Sequence, residues 1–583
     1  MNQEIKTCQN CKKDFTIEPD DFGFYEKMNV PLPTFCPECR LIRRLARRNE
    51  RTFHHRICEK CDKKTIAIFA EDSGIHVYCT SCWWGDDWDA IDYGVDFNPK
   101  QNVISQINDL YHRVPIMNLY GLYSTWINTE YVNMSAWQKN SYMVTYSDYG
   151  ENLIYGSFVN HSKDSVDNLM ANHCELCYET MNCNRCYNTF FSIDCDSCHN
   201  VMFSKNCSGC NDCFGCINLN KKSYCIFNEQ YSKEDYNKKL AELYPSSLKK
   251  IKTAQEKVES LSQNYPQKFY HGWRNIGSSG DYLNDTKNAK NCFIGFEIED
   301  SKFCSFITGK LTDAYDHSTF GQGSSLLYET LQSGDQNANI KFSHWIITNC
   351  QNVEYSMFCV NSKDIFGCVG LRKKQYCIFN KQYEKEEYFK LREQIINHMN
   401  DMSYTDKQGL IYKYGEFFPI ETCPFAYNET TAQEFFPLTK EQALALGYSW
   451  RETEKRNYKI TKNVSDLPDT ISEVQDDIIH EVIKCEHDGN CNDQCTGAFK
   501  IIQAELQFYR RMNLPLPNLC LNCRHARRLK YRNPMRLWHR VCMCDKQNHF
   551  HGTEKCDVEF ETSYAPERPE IIYCEKCYQQ EVY

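Results

Sequence analysis

The feature that most constrains this chain is a nested internal repeat, because two copies of one segment are expected to share one local structure. Residues 214–231 recur as residues 366–383, at an offset of 152 residues. Outside this pair, a segment near the start of the chain recurs near its end at an offset of 484 residues. The cysteines that recur are Cys11, Cys36, Cys39 and Cys58, which become Cys495, Cys520, Cys523 and Cys542. The chain therefore has the order A–B–B′–A′.

The repeats divide the 583 residues into six segments. The predicted segments are module A at 1–95, copy B at 96–231, a helical spacer at 232–266, copy B′ at 267–383, a helix with a small connecting segment at 384–484, and module A′ at 485–583. A length of this order is typical of several domains. We therefore expect a multidomain protein that is mainly β.

The compartment follows from the cysteines and from the apolar runs. No run approaches the ~18 apolar residues of a membrane-spanning helix. The first residues lack the apolar core of a signal peptide. The chain has 36 cysteines, and CxxC pairs without a secretory signal are typical of metal ligands in a reducing cytoplasm. We expect a cytoplasmic protein without a membrane partner.

Module A carries four cysteine pairs with the spacing of zinc knuckles. The candidate ligands form two sets: Cys8, Cys11, Cys36 and Cys39, and then Cys58, Cys61, Cys79 and Cys82. Zn²⁺ favours tetrahedral thiolate sites, and a site closed by four thiolates is structural because it leaves no position for a substrate. A first knuckle, a hairpin, and a second knuckle that opens a helix follow one another in the order of a treble clef. The sequence therefore predicts two structural zinc sites in module A.

Module A′ departs from this spacing. Its first pair is one residue longer, its third pair is one residue shorter, and an insertion with His549, His551 and Cys556 precedes its fourth pair. We expect two further zinc sites, and thus about four Zn²⁺ per chain. Cys485, His487 and Cys556 are spare candidates, or else ordinary residues without a metal. The expected ligands are Cys491, Cys495, Cys520 and Cys523, and then Cys542, Cys544, Cys574 and Cys577.

The motifs CQNCKKDF and FGFYEKMNVPLPTFCPECR resemble the probable zinc-ribbon (treble-clef) domain family. The resemblance covers about 50 residues at each end of the chain. It implies zinc binding and a loose association with nucleic acid, but no defined activity. The chain as a whole resembles a family of cysteine-rich bacterial zinc-ribbon proteins with the same layout, which implies an architecture and no mechanism.

Positive charge is concentrated in the two terminal modules. The net charge is −10, yet residues 40–56 carry +6 and residues 524–540 carry +7. Arginine pairs with phosphate in a bidentate geometry, which favours RNA or DNA as a partner. The alternatives are a solvated basic face and pairing with the protein's own acidic surface. The acidic stretch 466–481 is either a solvated acidic helix or, in a sharper hypothesis, an internal polyanion mimic that covers an arginine helix. The candidate contacts are Arg40, Arg43, Arg44, Arg47, Arg48, Arg524, Arg527, Arg528 and Arg532.

The centre of the chain has a shorter period. Cys183, Cys195 and Cys207 stand at every twelfth position, and turn-forming residues separate short aromatic and β-branched pieces. Short strands at a fixed spacing are typical of a β-solenoid, in which stacked turns share one core. The second copy keeps the spacing less strictly. Inside such a fold the cysteines are buried free thiols, metal ligands between turns, or disulfides.

No catalytic set emerges from the sequence, which lacks a phosphate-binding glycine loop and the GxSxG and HExxH motifs. We expect two zinc-binding treble-clef modules that flank two β-solenoid-like repeats separated by helical segments. The predicted function is a non-enzymatic nucleic-acid-binding scaffold. The alternatives are a thiol-rich metal-binding or redox-buffering protein, and a scaffold that binds a protein partner on its solenoid faces.

Overall fold

The chain folds into two compact units, each built from segments that are distant in sequence. The computed structural model describes residues 2–452 and 458–582. The first unit contains 1–119, 270–452 and 535–537, and the second contains 120–269, 453–534 and 538–583. Module A and residues 96–119 therefore share a unit with most of copy B′, and most of module A′ shares a unit with the rest of copy B. The prediction of a multidomain chain is confirmed, and parallel strands dominate both copies.

Module A is built from two antiparallel hairpins, each followed by helical segments. The hairpins pair Glu4–Thr7 with Asp14–Ile17, and His54–Ile57 with Lys64–Ala67. Its helices are Pro19–Met28, Pro37–Leu45 and Thr80–Trp83. The helix Val103–Tyr111 follows module A, and Val77–Tyr78 pairs in parallel with Ile116–Met117 beyond it. The helix Pro37–Leu45 begins with Pro37, a residue that suits the first turn because its ring fixes φ and no N–H bond is lost there.

Module A′ repeats this arrangement. Its antiparallel hairpins pair Ile483–Lys484 with Ala498–Phe499, and Trp538–Val541 with Glu559–Thr562. Its helices are Gln503–Met512, Leu521–Leu529 and Glu575–Val582, and Ile572–Tyr573 pairs in parallel with Gln267–Lys268. The repeat of the cysteine motifs is therefore also a repeat of the backbone.

Copy B consists of turns of chain that pair in parallel at a regular interval. Glu151 pairs with Lys163 and Cys213 pairs with Cys225, so each residue meets the twelfth residue after it. Isolated bridges continue the same interval between the strands. The period that the cysteines predict is thus confirmed. The strands are Val132–Asn133, Ala136–Lys139, Val144–Thr145, Asp148–Ile154, Ser157–Asn160, Lys163–Val166, Leu169–Asn172, His199–Met202, Asn211–Phe214, Ser223–Ile226 and Glu229–Gln230.

Copy B′ uses the same parallel pairing with some longer turns. Ser325 pairs with Ala338, the thirteenth residue after it, whereas Gln351 pairs with Lys363, the twelfth. The looser second copy is therefore confirmed. The strands are Gly272–Trp273, Gly280–Asn284, Cys292–Glu299, Ser305–Tyr315, Ser324–Tyr328, Ala338–Lys341, Gln351–Glu354, Lys363–Phe366, Gln375–Ile378 and Lys381–Gln382.

Short helices follow each copy. Lys233–Leu243 and Leu248–Ser262 lie inside the predicted spacer. After copy B′ come Lys385–Asp401, the hairpin of Tyr404–Thr405 with Ile411–Tyr412, and the helices Thr431–Phe435 and Lys440–Ala445. Among the residues that the structure describes, no helix combines the length and apolarity that crossing a membrane demands.

The turns of copy B bend at every third residue. A left-handed φ recurs at each third position from Met134 to Asn206, so the chain bends four times in each turn. Asn and Asp tolerate this region, but Tyr146 and Phe158 also adopt it. For a residue with a Cβ the left-handed conformation costs about 1–2 kcal/mol. Packing between turns must therefore hold the bends, and local propensity alone does not predict them.

The residue after each bend points into the interior, and the space there is narrow. The cysteines at these positions in copy B are all buried: Cys174, Cys177, Cys183, Cys186, Cys195, Cys198, Cys207, Cys210, Cys213, Cys216 and Cys225. Cys183 Sγ donates to the carbonyl oxygens of Met181 and Ser192, at 3.6 and 3.5 Å. Ser192, also interior, donates to a carbonyl oxygen two residues earlier in the same way. Small side chains with one donor thus suit the interior.

These contacts favour buried free thiols over disulfides. All 36 cysteines lie in the described part of the chain, and none of them forms a disulfide. Burial raises the pKa of Cys350 to about 12 and that of Cys377 to about 11. A thiol is inert while it stays protonated, since the thiolate is the nucleophile.

We expect these interior thiols to resist alkylation. Iodoacetamide at pH 7.5 should modify Cys350 and Cys377 at least about 100-fold more slowly in the native protein than in denaturant, because their thiolate fractions are small. Peptide mass spectrometry after timed labelling measures both rates. A redox-buffering function predicts fast labelling of these thiols in the native protein. Labelling of native Cys350 at the rate of the denatured protein would contradict its burial.

Candidate metal centres

The first tetra-cysteine group lies where the first hairpin meets the helix Pro37–Leu45. Cys8, Cys11, Cys36 and Cys39 place their sulfur atoms within 4.8 Å of one another. The Sγ atoms of Cys11 and Cys36 are 3.7 Å apart. The backbone N–H of Cys36 donates to Cys8 Sγ at 3.2 Å. This group is the one that the sequence predicts.

The second group of module A has the same geometry. Cys58, Cys61, Cys79 and Cys82 also lie within 4.8 Å of one another. Cys61 Sγ is 3.9 Å from Cys79 Sγ, and the Cys79 N–H donates to Cys58 Sγ at 3.1 Å. Burial alone would raise the pKa of Cys58, but backbone N–H groups of Cys79, Lys60 and Cys61 outweigh it and lower this pKa to about 7. The backbone thus favours the thiolate that a metal requires.

The third group differs from the prediction by one ligand. The structure brings together Cys485, Cys495, Cys520 and Cys523, and all four are buried. The Cys520 N–H donates to Cys485 Sγ at 3.3 Å, as the Cys36 N–H does to Cys8 Sγ. Cys485 is therefore the counterpart of Cys8, and it belongs to this group where the sequence predicts Cys491. Cys491 lies beside the group, with its Sγ 3.6 Å from Cys523 Sγ.

The fourth group also exchanges one predicted ligand. It consists of Cys542, Cys556, Cys574 and Cys577, all buried. Cys556 Sγ is 3.9 Å from Cys574 Sγ, and the Cys574 N–H donates to Cys542 Sγ at 3.2 Å. Cys556 thus takes the place predicted for Cys544. Cys544 belongs to a neighbouring group of potential ligands with two histidines.

The repeat offset contained the signal for both exchanges. Cys556, Cys574 and Cys577 follow Cys61, Cys79 and Cys82 by 495 residues, which is 484 plus an insertion of 11. Cys485 follows Cys8 by 477 residues, so that 7 extra residues separate it from Cys495. The prediction matched CxxC-like pairs by their short spacing. It did not consider that the first and third knuckles of module A′ carry an insertion between their two cysteines.

All four groups fit a tetrahedral metal of the size of zinc. Four thiolates at about 2.3 Å from one ion lie about 3.8 Å apart. The sulfur–sulfur distances are 3.7 Å in the first group, 3.9 Å in the second, 3.9 and 4.0 Å in the third, and 3.9 Å in the fourth. These four tetra-cysteine groups, all formed by described residues, can therefore hold a metal ion.

In the first unit, the arginine helix Pro37–Leu45 faces carboxylates of copy B′. Arg40 and Arg44 both pair with Asp316, at 2.9 and 3.0 Å. Arg43 pairs with Glu329 at 2.8 Å. Burial raises the pKa of Glu329, although Arg43 and Arg44 oppose the shift. Glu416, from the connecting segment, is a further partner of Arg43 at 3.4 Å.

The second unit repeats this arrangement with the helix Leu521–Leu529. Arg528 pairs with both Asp167 and Glu179 at 3.0 Å. Arg524 pairs with Asp167 at 3.0 Å, and Arg527 pairs with Glu179 at 2.9 Å. Glu505 completes the cluster 3.3 Å from Arg524. In each unit, three arginines thus meet three carboxylates, so the formal charges cancel.

The carboxylates that come from the two copies occupy equivalent places. Glu179 lies one turn of chain after Asp167, and Glu329 lies one turn of chain after Asp316. All four residues have a left-handed φ near 50°. Two stacked bends thus present two carboxylates to one arginine helix, once in each unit.

Burial separates most of these arginines from solvent. Seven of the nine candidate nucleic-acid contacts are 2% exposed or less: Arg40, Arg43, Arg44, Arg47, Arg48, Arg524 and Arg528. Arg47 donates to the Pro419 carbonyl oxygen at 2.6 Å, and Arg48 donates to Thr319 Oγ1 at 2.8 Å. Arg527 and Arg532 are partly exposed. In the folded units, the seven buried guanidinium groups do not present a phosphate-binding surface.

The structure thus pairs the arginines of the two helices with the protein's own carboxylates. This is the alternative to nucleic-acid binding. The acidic stretch 466–481 contributes Asp476, which pairs with Arg510 at 2.5 Å. The carboxylates on the two arginine helices come chiefly from the stacked turns. Nucleic-acid binding by the protein stays a prediction.

Comparisons of the chain with protein-family models, with curated proteins and with solved structures found no match. The assignment of a function to this protein therefore depends on the geometry of its own cysteine groups and ion pairs.

Proposed function

We propose that this protein is a non-enzymatic zinc-binding scaffold. The observation that carries the proposal is the set of four tetra-cysteine groups with tetrahedral sulfur spacing. Zinc is the metal that closed four-thiolate sites of this kind usually hold, and such a site leaves no open position for a substrate. The metal ions therefore stabilise the terminal modules and do not catalyse a reaction.

We infer that each terminal module is a pair of treble clefs and that each copy is a β-solenoid. The first inference is supported by the order of hairpin and helix around the cysteine groups. The second is supported by parallel pairing that recurs once in every turn of chain, and by the regular bends of copy B. A treble clef has little apolar core, so metal binding supplies much of its folding free energy.

The arginine helices dock the zinc modules on the solenoids. Each helix starts at a metal ligand, Cys36 or Cys520, and directs its arginines at two carboxylates on adjacent turns. Metal binding thus positions the helix, and the ion pairs then fix the module on its solenoid. Phosphate binding by these arginines requires that the helix leave its carboxylates. The partners predicted from the sequence, RNA or DNA and a protein on the solenoid faces, stay predictions.

The metal content of the purified full chain tests this function. We expect at least about four Zn²⁺ per chain in protein that is folded by circular dichroism, because four closed thiolate sites are present. Elemental analysis of the metal, normalised to protein by amino-acid analysis, gives the number. Folded protein with less than one zinc per chain, after growth in zinc-replete medium, would refute the proposal.

A further inference from the structure

The fourth cysteine group carries an insertion that its counterpart in module A lacks. Cys58 and Cys61 are 3 positions apart, whereas Cys542 and Cys556 are 14 apart. The hairpin strands on both sides keep their places, since Trp538–Val541 and Glu559–Thr562 pair as His54–Ile57 and Lys64–Ala67 do. The hairpin and the four thiols of that group are thus built in module A without the added loop.

The loop brings its own potential ligands to one point. Cys544, His549 and His551 converge on Cys577, and their ligating atoms lie within 4.8 Å of one another. Cys544 Sγ is 3.1 Å from His549 Nδ1 and 3.4 Å from His551 Nε2. A thiolate sulfur and an imidazole nitrogen on one tetrahedral zinc lie about 3.6 Å apart. The spacing therefore suits a metal with two sulfur and two nitrogen ligands.

In His549 and His551, the ring nitrogen that points away from Cys544 has a polar partner of its own. That partner determines which ring nitrogen faces Cys544. His551 Nδ1 lies 2.6 Å from the Glu554 carbonyl oxygen, which can only accept, so Nδ1 donates and the Nε2 lone pair faces Cys544. His549 Nε2 lies 3.4 Å from a carboxylate oxygen of Glu581, which leaves Nδ1 toward Cys544. Metal-binding histidines characteristically donate their other N–H in this manner.

The final helix supplies both the shared sulfur and this carboxylate. Cys577 and Glu581 are one turn apart on the helix Glu575–Val582, and thus lie on one face of it. The His549 side chain is 8% exposed, and Cys544 and Cys577 are fully buried. A buried imidazole beside two thiols is costly unless its nitrogen is paired. Metal binding satisfies all of these groups at once.

We propose that Cys544, His549, His551 and Cys577 bind a fifth metal ion, a zinc, and that Cys577 bridges it to the zinc of the fourth group. This inference rests on the proposed function, because Cys577 is shared. A thiolate sulfur has enough lone pairs to join two metal ions. One extra Zn²⁺ arrives with one extra thiolate, Cys544, so the pair carries one fewer negative charge than the single four-thiolate site. That lowers the cost of burying the cluster.

Zinc counting on full-length variants tests the site. We expect zinc to fall from about five per chain to about four in the double variant His549→Ala/His551→Ala, because one S2N2 site is lost. The matched control is His539→Ala, which removes a histidine of the same module that is 61% exposed. It should leave the zinc content unchanged.

The outcomes separate this inference from the proposed function. Equal zinc contents of about four in wild type and double variant overturn the fifth site and leave the proposed function intact. Folded wild-type protein without zinc overturns both. Loss of two zinc ions shows that the loop also holds the fourth group together, which supports the shared thiolate.

A measurement on the wild type avoids dependence on any variant. In protein produced with Co²⁺ in place of zinc, two high-spin ions joined by one thiolate couple antiferromagnetically. Of five bound Co²⁺ ions, the two that are coupled should not contribute to the electron paramagnetic resonance signal. We therefore expect a signal smaller than that of five independent ions by the contribution of two. A signal that accounts for every cobalt ion as uncoupled overturns the bridge.

Discussion

Replacing Cys39 with serine should remove one zinc ion and unfold the first half of module A. Structural zinc contributes about 10–16 kcal/mol of apparent binding free energy in isolated fingers, so the loss of one of four thiolates removes a large part of the folding free energy. The hairpin Glu4–Thr7/Asp14–Ile17 and the helix Pro37–Leu45 should then lose protection. Hydrogen exchange with mass spectrometry measures this region, and elemental analysis counts the zinc.

The matched control is Cys350→Ser, which changes a buried thiol of copy B′ in the same way. Cys350 Sγ donates to the carbonyl oxygens of Thr348 and Cys359. Ser362, one turn later, makes the equivalent contacts with its hydroxyl, so serine suits this interior. The control should keep all of its zinc and its exchange protection. Equal zinc contents in Cys39→Ser and Cys350→Ser would contradict the assignment of Cys39 as a ligand.

Replacing Asp316 with alanine should destabilise the first unit by about 3–5 kcal/mol, since removal of one partner from a buried ion pair leaves an uncompensated charge. Asp316 is fully buried and holds both Arg40 and Arg44. The contact surface of module A and copy B′ should therefore open first. Urea unfolding of the full chain, followed by circular dichroism, gives the change in the free energy of unfolding.

Asp313→Ala supplies the control for this substitution. Asp313 lies near the end of the strand Ser305–Tyr315, just before Asp316, and pairs with Lys27 at 3.0 Å, but both side chains are about half exposed. An exposed pair contributes about 1 kcal/mol or less. A loss below about 1 kcal/mol in Asp316→Ala as well would show that the arginines do not depend on this carboxylate.

The Asp316→Ala variant also tests the nucleic-acid prediction. If the arginine helix binds phosphate once its carboxylates are gone, the variant should bind RNA or DNA more tightly than the wild type at low salt, with an affinity that falls as salt rises. If the variant and the wild type bind nucleic acid equally weakly, the role of the arginines is to dock the terminal module on its solenoid. The exposed-control variant Asp313→Ala should bind as the wild type does.

Local sequence patterns predicted much of the architecture. The offset of 484 residues related the modules, and the even spacing of Cys183, Cys195 and Cys207 predicted stacked turns. The even cysteine spacing reflects contacts between residues that are near in sequence. The large offset reflects the repetition of one local structure. The cysteine groups of module A could be predicted for the same reason. Those of module A′ could not be read from spacing alone, because an insertion placed Cys544 nearer to Cys542 than Cys556.

The sequence by itself determined the two repeats, the cysteine-rich character of the terminal modules and the periodic centre. Only the tertiary structure decided the use of the arginines. Arg44 finds Asp316 across 272 residues, and Arg528 finds Glu179 across 349. A basic helix looks the same in sequence whether it faces phosphate or carboxylate. The choice depends on which distant turn lies opposite, and on the free energy that a charge gains when it is buried beside its partner and not alone.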